Sequence, residues 1–301
     1  MRAKKSVKVK KPVRRNASGV GGIGSALDRR GAKSHTGAME TESARIREHR
    51  QLQGAYRLLE LEAPSTAAEA APGQFIHVRI PRAPHLTLRR PFSLLGSDGR
   101  NVRVLYKVVG EGTRLLAEAS PGETLSIIGP LGNGFPVACD ERLPVLVAGG
   151  YGVAPLCFLA ENLCRKGRVF IGGASAEDIL LADAFESLGW RVEIATEDGS
   201  LGERGRVTDI LDSWLAEAGS SEPLQFFACG PEGLLKAVAD RALERAEEAW
   251  LSLDRHMGCG VGACLACVVD IREADGGVVR RRVCADGPVF EAREIVWGDT
   301  V

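Results

Sequence analysis

The chain has no run of about 18 apolar residues, so no segment reads as a transmembrane helix. Its opening, MRAKKSVKVKKPVRRNASGVGGIGS, lacks the apolar stretch of a secretory signal. Net charge is missing too: 39 Lys and Arg balance 39 Asp and Glu. Eight cysteines in 301 residues are too few for a disulfide scaffold. Together these absences predict a cytoplasmic globular protein of about two ordinary domains, with no membrane and no nucleic acid among its partners.

The zero net charge hides an asymmetry. Residues 1–45 hold 12 Lys and Arg against 3 Asp and Glu, and the rest of the chain holds 27 against 36. With few large apolar residues, 1–45 reads as a basic, disordered extension. A basic segment can also meet nucleic acid, an acidic partner or an anionic membrane.

Beyond it the rhythm is first that of short strands. GQFIHVRI (73–80), RRPFSLLG (89–96), NVRVLYKVVG (101–110) and ETLSIIGP (123–130) are punctuated by Gly, Pro, Asp and Ser. That spacing predicts a small antiparallel barrel over 46–139. From about 143 apolar strands alternate with amphipathic helices four times, ending in a long helix over PEGLLKAVADRALERAEEA. This predicts a doubly wound parallel sheet over 140–250. Residues 251–301 form a third, small unit that carries clustered cysteines. The fold class is thus α/β plus all-β.

Three stretches suit bound anions. VAGGYGVAP (147–155) follows a strand and opens a helix, and Gly149, Gly150 and Gly152 let backbone approach a ligand while the helix start favours a pyrophosphate. A plain tight turn would use the same glycines. The other strand ends should face the same crevice, which places Cys229, in ACGP, near a nicotinamide; the bland reading is a small apolar residue at a strand end. Arg90, Pro91, Phe92 and Ser93 set a guanidinium and a hydroxyl three residues apart on one strand, fit for one anion, or for a surface salt bridge at Arg90. GEGT (110–113) adds a hydroxyl-ending turn before a helix.

Cys259, Cys264, Cys267 and Cys284 follow C-x4-C-x2-C-x16-C. The x4/x2 part is the plant-type [2Fe–2S] spacing, with the fourth ligand further along. Four thiolates can also hold structural zinc, though zinc sites favour two short knuckles, and two disulfides would need export.

The order R-x-F-S, G-T turn, GG-x-G-x-AP and CGP resembles the ferredoxin–NADP reductase superfamily over roughly residues 50–250. That resemblance implies FAD held by Arg90, Pro91, Phe92, Ser93, Gly112 and Thr113, with Leu105, Tyr106 and Lys107 beside its ring. It implies a nicotinamide site lined by Gly149, Gly150, Gly152 and Cys229. LDRHMGCGVGACLACVV followed by RRVCADGPVF is similar to the electron-transfer subunits of class 1B dihydroorotate dehydrogenases. The chain departs from that pattern at Ala148, where the glycine run is shortened, at Asp254, where glutamate is expected, and in the basic extension.

The family implies a partner, an FMN-containing β/α-barrel catalytic subunit, in a heterotetramer of two copies of each. It also implies an order: dihydroorotate to FMN, then the [2Fe–2S] cluster, FAD and finally NAD+. A nicotinamide exchanges a hydride and a cluster single electrons, so a flavin, which does both, must stand between them. No obvious base for pyrimidine oxidation occurs in the chain, as suits a transfer subunit. The small subunit of a sulfide dehydrogenase or a ferredoxin–NADP oxidoreductase would share these motifs. A zinc-stabilised nucleotide-binding regulator is the non-enzymatic alternative.

Overall fold

The computed structural model describes residues 41–139, 141–217 and 222–298. Most of the expected basic extension, residues 1–40, lies outside them. Its last residues do not: the first strand, β1, is Glu42–Gln53, so the barrel begins before residue 46.

Six antiparallel strands close the barrel in the order β1-β2-β5-β4-β3-β6. They are β1, β2 (Tyr56–Glu62), β3 (Phe75–Val78), β4 (Arg90–Ser97), β5 (Asn101–Lys107) and β6 (Thr124–Leu131). Two short helices, α1 (Pro64–Glu69) and α2 (Glu111–Ala117), bridge them. β1 and β2 add to the four strands expected from pattern. In β1 only Ala44 and Ile46 are buried, so its ESARIREHRQLQ carries little apolar signal. Closure leaves no unpaired edge, because β6 pairs with β1.

The second unit is a seven-stranded sheet of order β10-β9-β8-β7-β11-β12-β15. Its strands are β7 (Leu143–Gly149), β8 (Arg168–Gly173), β9 (Arg191–Thr196), β10 (Glu203–Arg204), β11 (Leu224–Cys229), β12 (Glu248–Ser252) and β15 (Val289–Glu291). The crossing helices are α3 (Val153–Asn162), α4 (Ala182–Ser187), α5 (Val207–Glu217) and α6 (Glu232–Glu244). β7, β8, β9, β10, β11 and β12 run parallel, and β15 pairs antiparallel with β12. The expected helix over 231–249 therefore ends at Glu244, and EAWLS returns as a strand that straddles the expected boundary at 250. The cluster unit is a hairpin, β13 (Val268–Arg272) with β14 (Val278–Arg282), and it contributes β15 to the larger sheet.

Period-two alternation in β7 sends Val145 and Val147 to one face and Leu146 and Ala148 to the other. The first face shares a core with Val269, Ile271 and Cys284 of the cluster unit. The second, through α3, shares a core with Tyr56, Leu58, Leu95 and Leu105 on the barrel's outer wall. The parallel sheet is thus the middle layer, and both flanking units are fixed to it by buried apolar contact. Cys139 and Cys164, scattered in sequence, are joined as a disulfide between the segment entering β7 and the end of α3. Among the described residues no helix is long and apolar enough to cross a membrane.

Candidate functional site

Between β12 and β13 the chain has no regular structure, and Gly260 and Gly262 adopt φ of +72° and +81°. Left-handed backbone at these two points is what glycine permits. It turns N–H groups inward. Val261, Ala263 and Cys264 donate to Cys259 Sγ at 3.4, 3.3 and 3.4 Å. Gly262 donates to Cys284 Sγ at 3.1 Å, and the Cys259 N–H to Cys264 Sγ at 3.4 Å. The Cys284 N–H donates to Cys267 Sγ at 3.4 Å.

Burial pushes the Cys259 thiol up, but the N–H groups of Val261, Cys264 and Ala263 and the Cys264 side chain outweigh it and bring it to about 6. Burial and the adjoining Cys267 push Cys284 up to about 12. Among the described residues, no group of three or more His, Cys, Asp or Glu closes on a single metal ion. The four sulfurs are instead wrapped by N–H donors, an arrangement that suits a larger group carrying its charge on sulfur. Cys267 and Cys284 are buried, whereas Ala263, Cys264, Leu265 and Ala266 lie exposed, so the loop meets solvent on one side.

Charged and amide side chains fasten this loop to the rest. Arg282 donates to both carboxylate oxygens of Asp286 and, at 3.2 Å, to the Gly262 carbonyl. Asn133, just beyond β6, donates to the carbonyls of Ala285 and Asp286. His77 on β3 is wholly buried beside the loop. Burial lowers it to about 4, against the opposing pull of the Cys259 backbone.

On β4, Arg90 donates to the Leu88 carbonyl at 2.7 Å and forms no ion pair among the described residues, so the salt-bridge alternative does not apply. A Cβ on Gly112 would stand 3.3 Å from Arg90 Nε, which brings the RPFS strand and the G-T turn together. Pro91 and Ser93 are half-buried. Phe92 points into the barrel and lies 5.5 Å from the Tyr106 ring. Tyr106 is core, its hydroxyl 2.8 Å from His49 Nε2, and Leu105 packs against the sheet unit. Those two are therefore beside a ligand only through their backbone. Thr113 is likewise committed: its Oγ1 accepts from the N–H groups of Val109 and Gly110 and caps α2.

The sheet's strand order reverses between β7 and β11, and in such sheets the ligand crevice lies outside the strand ends at that point. Gly149 ends β7 and Cys229 ends β11, with Ala148 and Cys229 in register. A Cβ on Gly152 would stand 2.5 Å from the Cys229 carbonyl carbon and 2.8 Å from Gly230 N, and one on Gly149 2.7 Å from Pro231 Cδ. These glycines let the GGYG and CGP turns pack together, a different reason from ligand approach. Gly150 is left-handed at φ +54° and faces the Tyr56 hydroxyl. Burial pushes the Cys229 thiol up to about 12, so it is a neutral wall of the crevice.

Residues 254–296 match the family described as the iron-sulfur cluster binding domain of dihydroorotate dehydrogenase B. Over 232 residues the chain is 41% identical to the dihydroorotate dehydrogenase B (NAD(+)) electron transfer subunit of Geobacillus kaustophilus, covering 75% of this chain and 86% of that protein. The chain belongs to this family of electron transfer subunits. The Shouchella clausii member is 40% identical over 248 residues, 79% of this chain and 91% of its own. Among solved structures, the NADH-dependent reduced ferredoxin-NADP oxidoreductase studied for flavin-based electron bifurcation superposes with a TM-score of 0.74 at 27% identity, covering 84% of this chain and 90% of that one. The FAD/NAD binding domain of a Vibrio cholerae nitric oxide dioxygenase shares the fold, with a TM-score of 0.57 at 22% identity over 68% of this chain and 94% of that one.

This electron transfer subunit also has polar pairings that pattern reading passes over. The expected Lys107 donates to Asp178 Oδ1 at 3.0 Å, and Tyr56, which pattern reading does not single out, donates to the same oxygen at 2.6 Å. Tyr151, between the loop glycines, donates to Asp254 at 3.3 Å. Each of these three pairs spans 71 residues or more, so none leaves a local signal. The charge run RRR before Cys284 is the signal that would have found Arg282.

Proposed function

We propose that this chain carries electrons from the FMN of a dihydroorotate dehydrogenase catalytic subunit to NAD+, as one step of pyrimidine synthesis. The observation that carries the reading is the four-cysteine loop with its inward N–H donors, built into the same core as a flavin-type barrel and a nucleotide-type sheet. Family membership supports the rest.

When bound, a [2Fe–2S] cluster and FAD supply the one-electron carrier and the converter from single electrons to hydride. The chain's own residues place them. Cys259, Cys264, Cys267 and Cys284 hold the cluster, and the loop amides offset the charge on sulfur. Arg90, with Ser93 and the backbone at Gly112 and Thr113, binds the anionic part of FAD. Pro91 and the backbone of Phe92, Leu105 and Tyr106 shape the wall beside the flavin, and Lys107 closes it against Asp178. Gly149, Gly150, Gly152 and Cys229 line the NAD crevice at the switch point. The exposed apolar run 263–266 is the face offered to the catalytic subunit, in a heterotetramer acting in the cytoplasm.

A second reading rests on the superposition with the NADH-dependent ferredoxin-NADP oxidoreductase. It makes the chain the small subunit of such an enzyme or of a sulfide dehydrogenase. Anaerobic purification of the native complex separates the two. Iron, sulfide and flavin analysis with dihydroorotate-dependent reduction of NAD+ supports the first. A partner that reduces NAD+ from ferredoxin or sulfide but not from dihydroorotate sinks it, and a colourless, iron-free preparation sinks both.

A further inference from the structure

His77 stands out among the buried polar side chains. Its ring is 0% exposed, and neither nitrogen meets the geometry of a full hydrogen bond, although the Cys259 backbone lies close enough to oppose the lowering of its pKa. A buried polar ring without good hydrogen bonds destabilises a fold, and an apolar residue would suit a barrel strand better. The half-buried His49 of the barrel shows the ordinary solution: it uses both nitrogens, toward the Ala119 carbonyl and the Tyr106 hydroxyl.

The surroundings of His77 give it a place. Its strand, β3, pairs with β4 so that His77 lies opposite Pro91 of the RPFS segment, and with β6 so that it lies opposite Ile128. Against the ring sits Gly260, the residue after the first cluster cysteine. A Cβ there would collide with the imidazole, 2.6 Å from Cε1 and 2.9 Å from Cγ. Phe75 meets the ring edge-on at 6.4 Å. The imidazole is therefore sandwiched between the strand pair that carries the flavin motif and the backbone that carries Cys259. Electron transfer between two carriers depends steeply on their separation, and polar groups beside a cluster's ligands tune its potential.

We propose that His77 is a positioning residue for the one-electron step between cluster and flavin: its imidazole seats the Cys259 and Gly260 backbone against β3 and β4 and presents a polar edge to the first cluster ligand. The step oxidises one carrier and reduces the other, and His77 neither gains nor loses charge in it. This rests on the ligand assignment made above for the four cysteines.

The test uses the complex purified anaerobically with its catalytic subunit. H77F keeps a ring and removes both nitrogens; H77Q keeps a polar edge. The proposal expects H77F to retain iron and flavin but to shift the g values and midpoint potential of the reduced cluster. It expects at least a tenfold slower bleaching of the cluster bands on mixing with NADH, with H77Q returning toward wild type. Wild-type g values, potential and bleaching in H77F would overturn it. Should H77F not accumulate, H77L decides: it too lacks both ring nitrogens, and wild-type g values and midpoint potential in it overturn the proposal. A wild-type complex without a [2Fe–2S] spectrum would instead overturn the ligand assignment beneath it.

Discussion

Lys107 of the barrel reaches Asp178 of the sheet unit at 3.0 Å, and both lie where the two units meet over the Tyr56 ring. Tyr56 shares the same carboxylate oxygen, and Gln53 adds hydrogen bonds to the carbonyls of Glu177 and Ile179. The barrel is thus latched to the 3-10 turn Ala176–Asp178 by side chains as well as by the apolar core. The proposed flavin wall on one unit and nicotinamide crevice on the other need a fixed separation, which such a latch helps to hold.

The latch predicts a pH window. Burial pushes Asp178 up, but the Tyr56 and Lys107 hydrogen bonds outweigh it and hold the carboxyl below its ordinary value. Lys107 is raised, chiefly by Asp178. A lowered acid stabilises above its unfolded pKa, about 4, and loses this as pH falls through the folded value; a raised base stabilises below about 10.4 and loses it as pH rises through its own. D178N should therefore lower Tm at neutral pH by the equivalent of about 1–3 kcal/mol and flatten the acid side of the Tm–pH curve. A D178N curve parallel to wild type from pH 3 to 7 would remove the latch.

Two glycines should respond with opposite sign. At Gly152 a Cβ meets backbone of Cys229 and Gly230, which cannot move aside, so G152A should lose about 1–3 kcal/mol and weaken NADH binding. At Gly233, inside α6, nothing lies within 4 Å of a Cβ and φ is not left-handed, so G233A should gain about 0.4–1 kcal/mol. Thermal melts of the two variants check both, and a stabilised G152A would refute the packing account of the GGYG turn.

What the sequence made legible, and what it did not, follows from contact range. Cys259, Cys264 and Cys267 fall within nine residues, so their spacing is readable, and Cys284 follows as the more distant fourth ligand of the plant-type pattern. The barrel and sheet were readable where strands alternate cleanly. β1 was not, because its outward positions are mostly charged and only Ala44 and Ile46 turn inward. The glycines of GGYG are legible, but the packing of Gly152 against the Cys229 backbone, 77 positions away in sequence, leaves no local signal. Lys107 was placed at the flavin, yet its ion pair with Asp178 has no sequence signature. The resemblance implies Tyr106 beside the flavin ring, but that Phe92 and His49 claim its side chain is not legible, because a strand's inward face cannot be told from its outward one without its neighbours.

The cysteines themselves predict a separable loss. C264S and C284S should each abolish the [2Fe–2S] absorbance and its electron paramagnetic signal while FAD remains, because the proposed flavin wall lies on β4 (Arg90–Ser97) and β5 (Asn101–Lys107), away from the cysteines. Reduction of NAD+ by dihydroorotate should fall below detection in both, with flavin still reducible by NADH. Loss of FAD together with iron in C264S, the exposed cysteine, would mean that the cluster loop also builds the flavin site.

The loop's surface predicts a trade between stability and assembly. Leu265 is 62% exposed and holds φ of +58°, a left-handed backbone that costs a residue with a side chain about 1–2 kcal/mol. An exposed leucine in a strained conformation is unfavourable twice over for an isolated subunit, and it becomes favourable when a partner covers it. L265G should therefore raise the melting temperature of the isolated chain, since glycine relieves the strain. The same variant should weaken binding to the catalytic subunit by roughly 10- to 100-fold, the usual range for truncating a buried apolar anchor, and L265D should weaken it further by leaving an unpaired charge at the interface. Cluster content should be unchanged in both, because the amides that reach the sulfurs come from Val261, Gly262, Ala263 and Cys264. Size-exclusion chromatography with melting curves of the separate chain reads both halves. L265D that assembles with wild-type affinity would move the catalytic subunit's contact surface away from the exposed side of the cluster loop.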